Sequence, residues 1–169
     1  MLRGSSGSRG PAENNGREQR ATRRLEDVRR ARRGDHLLDH SRPRVLIADD
    51  YEGILTALNR LLGFSCDVVG LVGNGHLLFE AASRLQPDVI LVDVGLPDVD
   101  GLEASRRIKA AGLAAKVIVL TAADDPGMEE QAFAAGASAF VLKHRVAEDL
   151  LPAIERVWGR TLIDQSLET

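Results

Sequence analysis

Five short apolar runs alternate with stretches of helical periodicity from Arg44 onward. The runs have the length and composition of strands buried on both faces, and they occupy residues 45–48, 66–72, 89–92, 116–121 and 138–142. The helical stretches occupy residues 54–62, 76–85, 101–111, a segment starting at 124–126, and 146–158, with about three turns each. This alternation is typical of a parallel sheet with helices on both faces. With five strands, we expect a doubly wound α/β sheet of order 2-1-3-4-5, since a barrel would need eight.

Four of the predicted strands end at a charged or hydroxyl residue. The first is followed by Asp49 and Asp50, the third by Asp93, the fourth ends at Thr121 and the fifth is followed by Lys143. Ligands of open α/β sheets bind beyond the carboxyl ends of the strands. With the strand order above, we expect all five residues to face one crevice.

Each of these residues also has a purely structural interpretation. Asp93 can cap the following turn, Asp50 and Thr121 can cap helices, and Lys143 can be a solvated strand end. Five such residues in register at strand ends favour a shared site instead. Three carboxylates repel each other and need a counter-charge, and Mg²⁺ is a small hard dication that binds such oxygens. The arrangement suits a carboxylate that meets an incoming phosphoryl group.

Residues 1–43 differ from the rest of the chain in composition. Residues 1–44 carry 12 arginines and 6 acidic residues, whereas residues 45–169 carry 10 basic and 19 acidic residues. The segment 1–43 has few apolar side chains, so we expect a disordered basic leader. Residues 19–33 have weak helical periodicity, which leaves open an arm for nucleic acid or another polyanion.

Composition excludes several classes of protein. No apolar run approaches the roughly 18–20 residues that a membrane helix requires, and no apolar core of a secretory signal is present. The single cysteine, Cys66, excludes an internal disulfide framework and is expected to be a buried strand residue. We therefore expect a cytoplasmic protein with no membrane contact.

The motifs at the strand ends resemble the receiver domain of bacterial two-component response regulators, which has a flavodoxin-like or CheY-like fold. The matching stretches are VLIADD (45–50), VILVDVGLPDVDG (89–101), VIVLTA (117–122) and GASAFVLK (136–143). LVGNG (71–75) and DGLEASRRIK (100–109) resemble the NarL/FixJ-type subfamily. We expect a receiver domain over residues 44–160.

The chain ends at Thr169, where NarL-type proteins continue to a helix-turn-helix output domain. We therefore expect a receiver without that domain, and interpret residues 161–169 as a tail or a linker remnant.

The resemblance implies an acceptor and a metal site at the third strand. Carried over by position, Asp93 accepts the phosphoryl group. Asp50, Asp93 and the backbone carbonyl of Gly95 bind Mg²⁺, and Asp49 contributes through water.

The same resemblance implies the contacts of the phosphoryl group and the switch. Thr121, Ala122 and Lys143 contact the phosphoryl group, and Thr121 and Phe140 form the switch. Phe140 lacks the hydroxyl of the tyrosine that is commoner in the family, and His144 follows the lysine where many receivers have proline.

The resemblance also implies the partners. The phosphoryl donor is a sensor histidine kinase or a histidine phosphotransfer protein. A downstream protein, or a second copy of the chain, binds the face formed by the fourth helix, fifth strand and fifth helix. The receiver itself is not expected to bind nucleic acid.

Two alternatives come from other functional classes. One is an interaction module on the same fold that works without phosphorylation. The other is an aspartyl-phosphate hydrolase of haloacid-dehalogenase type. Those enzymes place a general acid two residues after the nucleophile, where this chain has Gly95. The sequence therefore favours a phosphorylation-dependent switch over turnover catalysis.

Overall fold

The computed structural model describes residues 41–162, in which five strands alternate with five helices. The element order is β1 (Arg44–Ala48), α1 (Glu52–Leu62), β2 (Asp67–Val72), α2 (Gly75–Leu85), β3 (Val89–Asp93), α3 (Gly101–Ala110), β4 (Lys116–Thr121), α4 (Met128–Ala134), β5 (Ala139–Leu142) and α5 (Val146–Trp158). A single 3-10 turn, Lys143–Arg145, joins β5 to α5. All strand pairs are parallel and the order is β2-β1-β3-β4-β5. The predicted doubly wound α/β sheet is confirmed.

Helices cover both faces of this sheet, and each face has its own apolar core. On one face, α2, α3 and α4 cover alternate strand residues such as Ile90 and Val119. On the other face, α1 and α5 cover residues such as Leu91 and Ile118. All five residues of β3 are buried, which is why its sequence is continuously apolar up to Asp93.

The helix boundaries agree with the sequence pattern, with one exception. The sequence predicts a helix start at residues 124–126. In the structure, residues 122–127 are exposed and α4 starts only at Met128. Pro126 cannot donate a backbone hydrogen bond, and Gly127 has a left-handed φ of 105°. The prediction of a three-turn helix was therefore wrong here, because α4 has only 7 residues. The shortening leaves a long loop after Thr121.

The strand register brings the predicted site residues together. Ala48 pairs with Val92, so the acids that follow β1 lie beside the end of β3. Asp93 pairs with Leu120, and Thr121 pairs with Leu142, immediately before Lys143. The carboxyl ends of four neighbouring strands thus form one edge of the sheet.

The basic leader lies almost wholly outside the described residues, including the possible helix at 19–33. Residues 163–169 lie outside them as well. The interpretations of these segments stay predictions. Within the described part of the chain, no helix is long and apolar enough to span a bilayer.

Cys66 is buried as expected, with 2% of its surface exposed, although β2 begins one residue later. Burial raises the pKa of its thiol from 9.0 to about 12. We expect alkylating reagents to leave Cys66 unmodified near pH 9 in the folded domain and to modify it rapidly in urea, since only the thiolate attacks.

The same thiol sets a pH dependence of stability. Between pH 9 and 12 the unfolded chain loses a proton that the folded chain keeps, so the free energy of unfolding should fall as pH rises. A Cys66→Ala variant should show a shallower decline over this range. Rapid alkylation of the native protein would contradict this assignment. So would the same decline of the free energy of unfolding with pH for both proteins, measured by urea denaturation at each pH.

Candidate functional site

Three carboxylates form a cluster at the carboxyl edge of the sheet. One oxygen from each of Asp49, Asp50 and Asp93 can be chosen so that all three lie within 4.8 Å of one another. Asp49 is fully buried and Asp93 is 6% exposed, whereas Asp50 is exposed. The three acids thus lie together, as the strand-end pattern predicts, with two carboxylates buried in the protein and one at the open side.

Lys143 lies between the two buried carboxylates. Its Nζ is 2.6 Å from Oδ2 of Asp49 and 3.0 Å from Oδ1 of Asp93. The lysine side chain is 18% exposed, so its ammonium neutralises part of the cluster inside the protein. The sequence placed Lys143 at the edge, but its bridging of both acids is visible only in the folded chain.

The ion pairs affect the protonation of Lys143. Partial burial by itself would lower the pKa of the ammonium, but the contacts with Asp49 and Asp93 outweigh it and raise the pKa above its ordinary 10.5. A raised lysine pKa contributes stability that is complete below 10.5 and is lost as pH rises through the folded-state value. The ammonium is thus charged throughout the neutral range.

Asp93 and Asp49 also accept backbone hydrogen bonds from the loops that follow them. Oδ2 of Asp93 accepts from the amide of Gly95 at 3.0 Å, and Oδ1 of Asp49 accepts from the amide of Tyr51 at 3.0 Å. These are short Asx-type turns. The capping interpretation of Asp93 is therefore correct as far as the turn is concerned, and it coexists with membership of the cluster.

Asp50 and Thr121 do not cap helices. The residue before α1 is Tyr51, which makes no side-chain cap, and α4 starts seven residues after Thr121. Oγ of Thr121 accepts a hydrogen bond from the amide of Ala123 at 3.1 Å, and Thr121 is only 3% exposed. Its hydroxyl is thereby held at the start of the exposed loop that includes Ala122.

Phe140, the predicted switch residue, lies within β5, three residues before Lys143. It is half-buried and packs against the core on the side of α2, α3 and α4. β5 is one of the two edge strands of the sheet. The assignment of Phe140 to a switch stays a prediction.

The cluster fits a small hard cation. Oδ2 of Asp49 is buried and accepts no well-oriented hydrogen bond, although the Lys143 ammonium is near. All three donors are carboxylate oxygens, which Mg²⁺ prefers, and the exposed Asp50 leaves a side open to water. A bound dication would also offset the charge that Lys143 alone does not neutralise.

Two close contacts at this edge involve glycines that the sequence pattern marked only as turn or helix-start residues. A Cβ at Gly101 would lie 2.1 Å from the backbone oxygen of Asp93, and a Cβ at Gly75 would lie 2.3 Å from that of Val99. In the sequence these glycines stand in GNG and DG, at the starts of α2 and α3. Their partners could not be read from them.

A groove of about 780 Å³ lies elsewhere, between α2 and α3, and its lining includes Phe79, Arg84 and Arg107. None of the carboxylates of the cluster lines it. The three carboxylates therefore lie at an open edge of the sheet and not in this groove.

The fold and the clustered acids with their lysine together define a receiver-type site. The family model for the response regulator receiver domain matches residues 45–155. The chain therefore belongs to the response regulator receiver family of two-component systems. Receiver domains interact with histidine kinases and bind Mg²⁺ through an acidic cluster of this kind.

Individual relatives agree with this assignment. The chain is 36% identical over 127 residues to the transcriptional regulatory protein YvfU of Bacillus subtilis, covering 73% of this chain and 64% of YvfU. It is 31% identical over 126 residues to the nitrate/nitrite response regulator protein NarL of Escherichia coli, covering 73% of this chain and 58% of NarL. The chain thus spans between half and two thirds of the length of these curated relatives.

A solved structure gives the same result for the fold. The DNA-binding response regulator of the LuxR family from Staphylococcus aureus superposes with a TM-score of 0.65 at 28% identity. The match covers 69% of this chain and 98% of that chain. The predicted CheY-like receiver with NarL-type relatives is confirmed.

Proposed function

We propose that this domain is a phosphorylation-dependent switch that accepts a phosphoryl group on Asp93 from a histidine kinase or a histidine phosphotransfer protein. The observation that carries the proposal is the bridging of Asp49 and Asp93 by Lys143 inside a three-carboxylate cluster. Within that cluster, Asp93 ends the central strand β3, and Asp49 and Asp50 follow the neighbouring strand β1. The reaction is a single transfer to the protein's own side chain, without turnover of a substrate.

In the proposed transfer, a carboxylate oxygen of Asp93 attacks the phosphorus of the donor phosphohistidine. The P–O bond to Asp93 forms as the P–N bond breaks. The electron pair of the P–N bond stays on the imidazole nitrogen, which takes a proton from solvent. The protein contributes positioning and charge neutralisation. The amide of Gly95, 3.0 Å from Oδ2 of Asp93, fixes the orientation of the carboxylate.

Asp49, Asp50, Asp93 and the backbone carbonyl of Gly95 would hold Mg²⁺. When bound, the ion supplies positive charge next to the phosphoryl oxygens. Lys143 adds a second positive charge beside Oδ1 of Asp93. Its pKa, raised by Asp49 and Asp93 despite partial burial, keeps it protonated at neutral pH.

Thr121, Ala122 and Lys143 would contact the phosphoryl group. The hydroxyl of Thr121 is already tied to the loop through the amide of Ala123, so its movement toward the phosphoryl group would draw the loop with it. Phe140, half-buried on the edge strand, would then turn inward and alter the surface of α4, β5 and α5. That face is the proposed contact for a downstream protein or a second copy of the chain.

The proposal extends to the organisation of the chain. We assign the switch to residues 44–160 and place the protein in the cytoplasm, where histidine kinases present their phosphohistidine. We also propose that the receiver itself does not bind nucleic acid, since residues 45–169 carry 19 acidic and 10 basic residues. Residues 1–43 would be a leader separate from this switch.

Labelling with a small phosphodonor such as phosphoramidate tests the proposal. Intact-mass spectrometry should detect one added phosphoryl group in the presence of Mg²⁺ and almost none with EDTA. An Asp50→Asn variant should require at least about tenfold more Mg²⁺ for half-maximal labelling rate, because one carboxylate of the cluster is lost.

Asp50 is the suitable residue because it is exposed and, among the described residues, no hydrogen bond or ion pair to its side chain is present. Its replacement therefore leaves the fold intact. Labelling that is independent of Mg²⁺, or an Asp50→Asn variant with the wild-type Mg²⁺ requirement, would show that the cluster does not bind the ion.

A further inference from the structure

The first residue of α2 touches the loop between β3 and α3 more closely than any side chain allows. Gly75 is buried, and a Cβ there would lie 2.3 Å from the oxygen and 2.6 Å from the Cβ of Val99. Its amide donates a hydrogen bond to the carbonyl of Pro97 at 3.4 Å. Gly75 does not have a left-handed φ, so contact rather than backbone conformation requires glycine here.

The same loop holds the surroundings of Asp93. Its residue Gly95 donates its amide to Oδ2 of Asp93, and the amide of Gly101 closes the loop on the carbonyl of Val94 at 3.0 Å. Gly101 lies directly against the backbone of Asp93. The segment is thus fixed at its ends by Asp93 and Gly101, and in its middle by Gly75.

The middle of the loop has an unfavourable local conformation. Asp98 has a φ of 69°, although it is not a glycine, and the amide of Val99 donates to the carbonyl of Pro97 at 2.8 Å. A tight turn of this kind needs support from its surroundings. The contact of Pro97 and Val99 with Gly75 supplies it.

We propose that Gly75 is a positioning residue for phosphoryl transfer: by lacking a side chain, it allows α2 to hold the β3–α3 loop where Gly95 orients the carboxylate of Asp93. The inference rests on the proposed function. It assigns to the start of α2 an effect on a reaction that no side chain of α2 touches. Any side chain at position 75 must push α2 and the loop apart at Val99, and we expect Gly95 to move with the loop.

A second glycine in the same turn provides a matched control. A Cβ at Gly73 would meet only the backbone oxygen of Asp49, at an ordinary 3.9 Å, and its φ is not left-handed. Alanine is therefore tolerated at residue 73 and not at residue 75. The two substitutions add the same methyl group two residues apart.

The experiment compares Gly75→Ala and Gly73→Ala in the full chain, under conditions in which both are folded by circular dichroism. Phosphoramidate labelling of Gly75→Ala should be slower by about tenfold or more, since misplacement of a reacting group by ~1 Å costs up to 10²-fold. Gly73→Ala should label within about twofold of wild type. The amide resonances of residues 94–100 should shift in Gly75→Ala only, without Mg²⁺ or phosphodonor, which a purely structural loss of stability would not produce.

Equal labelling rates for the two variants, or unshifted loop resonances in Gly75→Ala, would overturn the proposal. If Gly75→Ala does not fold, it is made in a Val99→Gly background, where the loop can move away from the added methyl group. The substitution should then cost less than about threefold in rate. A double variant that is unfolded or still strongly impaired would assign Gly75 to folding alone. If wild type itself is not labelled on Asp93, the proposed function fails, whereas the loop resonances still test the contact.

Discussion

Replacement of Lys143 by alanine is expected to lower the free energy of unfolding of the metal-free domain by about 3 kcal/mol. The ammonium bridges Asp49 and Asp93 at 2.6 and 3.0 Å, and these two carboxylates are 0% and 6% exposed. Removal of the lysine leaves both of them buried without a counter-charge, next to the third acid. Urea denaturation in EDTA, monitored by circular dichroism, measures the loss.

Mg²⁺ should restore part of this stability, since a dication can replace the lost positive charge. The Lys143→Ala variant should therefore gain more from saturating Mg²⁺ than wild type does. Asp49→Ala should lower the free energy of unfolding less in the Lys143→Ala variant than in wild type, because in that variant it removes one of the unpaired carboxylates.

Arg145 offers a control from the same turn. Its ion pairs with Asp149 and Glu148 are at the surface, and its side chain is 50% exposed. Arg145→Ala should cost no more than about 1 kcal/mol. Equal losses for Lys143→Ala and Arg145→Ala, or a Lys143→Ala variant indifferent to Mg²⁺, would refute the role of Lys143 as the internal counter-charge.

The strands and the residues at their ends could be predicted because burial on both faces leaves a continuous apolar run in the sequence. β3 has all five residues buried, so the position where polarity returns, Asp93, also marks the strand end. Strand order then follows from the alternation of elements and the handedness of crossovers. The edge that joins Asp49, Asp93 and Lys143 is a consequence of this topology.

Local helix propensity gave a poorer guide to the fourth helix. Acidic residues followed by proline are a typical helix start, yet the segment 122–127 is an exposed loop. Gly127 has a left-handed conformation that a continuous helix could not contain. A short amphipathic pattern does not specify where a helix starts when few of its side chains reach the core, and only Ala132 of α4 is buried.

Close approach between distant segments had no signature in the sequence. Gly75 and Val99 are far apart along the chain, and nothing in either local pattern indicates that they meet. The bridging of two acids by Lys143 could not be predicted either, since a lysine at a strand end is usually solvated. These contacts depend on how loops from different strands pack against each other. No local pattern in the sequence indicates that packing.

Asp93→Asn is expected to reduce phosphoramidate labelling to the background level of a protein with no acceptor. An amide oxygen is a far weaker nucleophile than a carboxylate, and the phosphorylated product would lack the acyl phosphate that hydroxylamine cleaves. The fold should persist, because the asparagine oxygen can still accept the hydrogen bond from the amide of Gly95. Loss of one negative charge from the cluster should even favour the metal-free folded state. Intact mass before and after hydroxylamine treatment is the measurement.

The matched control is Asp100→Asn, an acid in the same loop. Oδ1 of Asp100 caps α3 by accepting from the amide of Glu103 at 2.8 Å, and asparagine caps helices as well as aspartate does. Both variants thus exchange one carboxylate for one amide within seven residues, but only one of them lies in the cluster. Asp100→Asn should label at the wild-type rate. Labelling of Asp93→Asn at that rate, with a hydroxylamine-labile phosphoryl group, would place the acceptor on another carboxylate, and Asp50, the exposed member of the cluster, would be the next to replace.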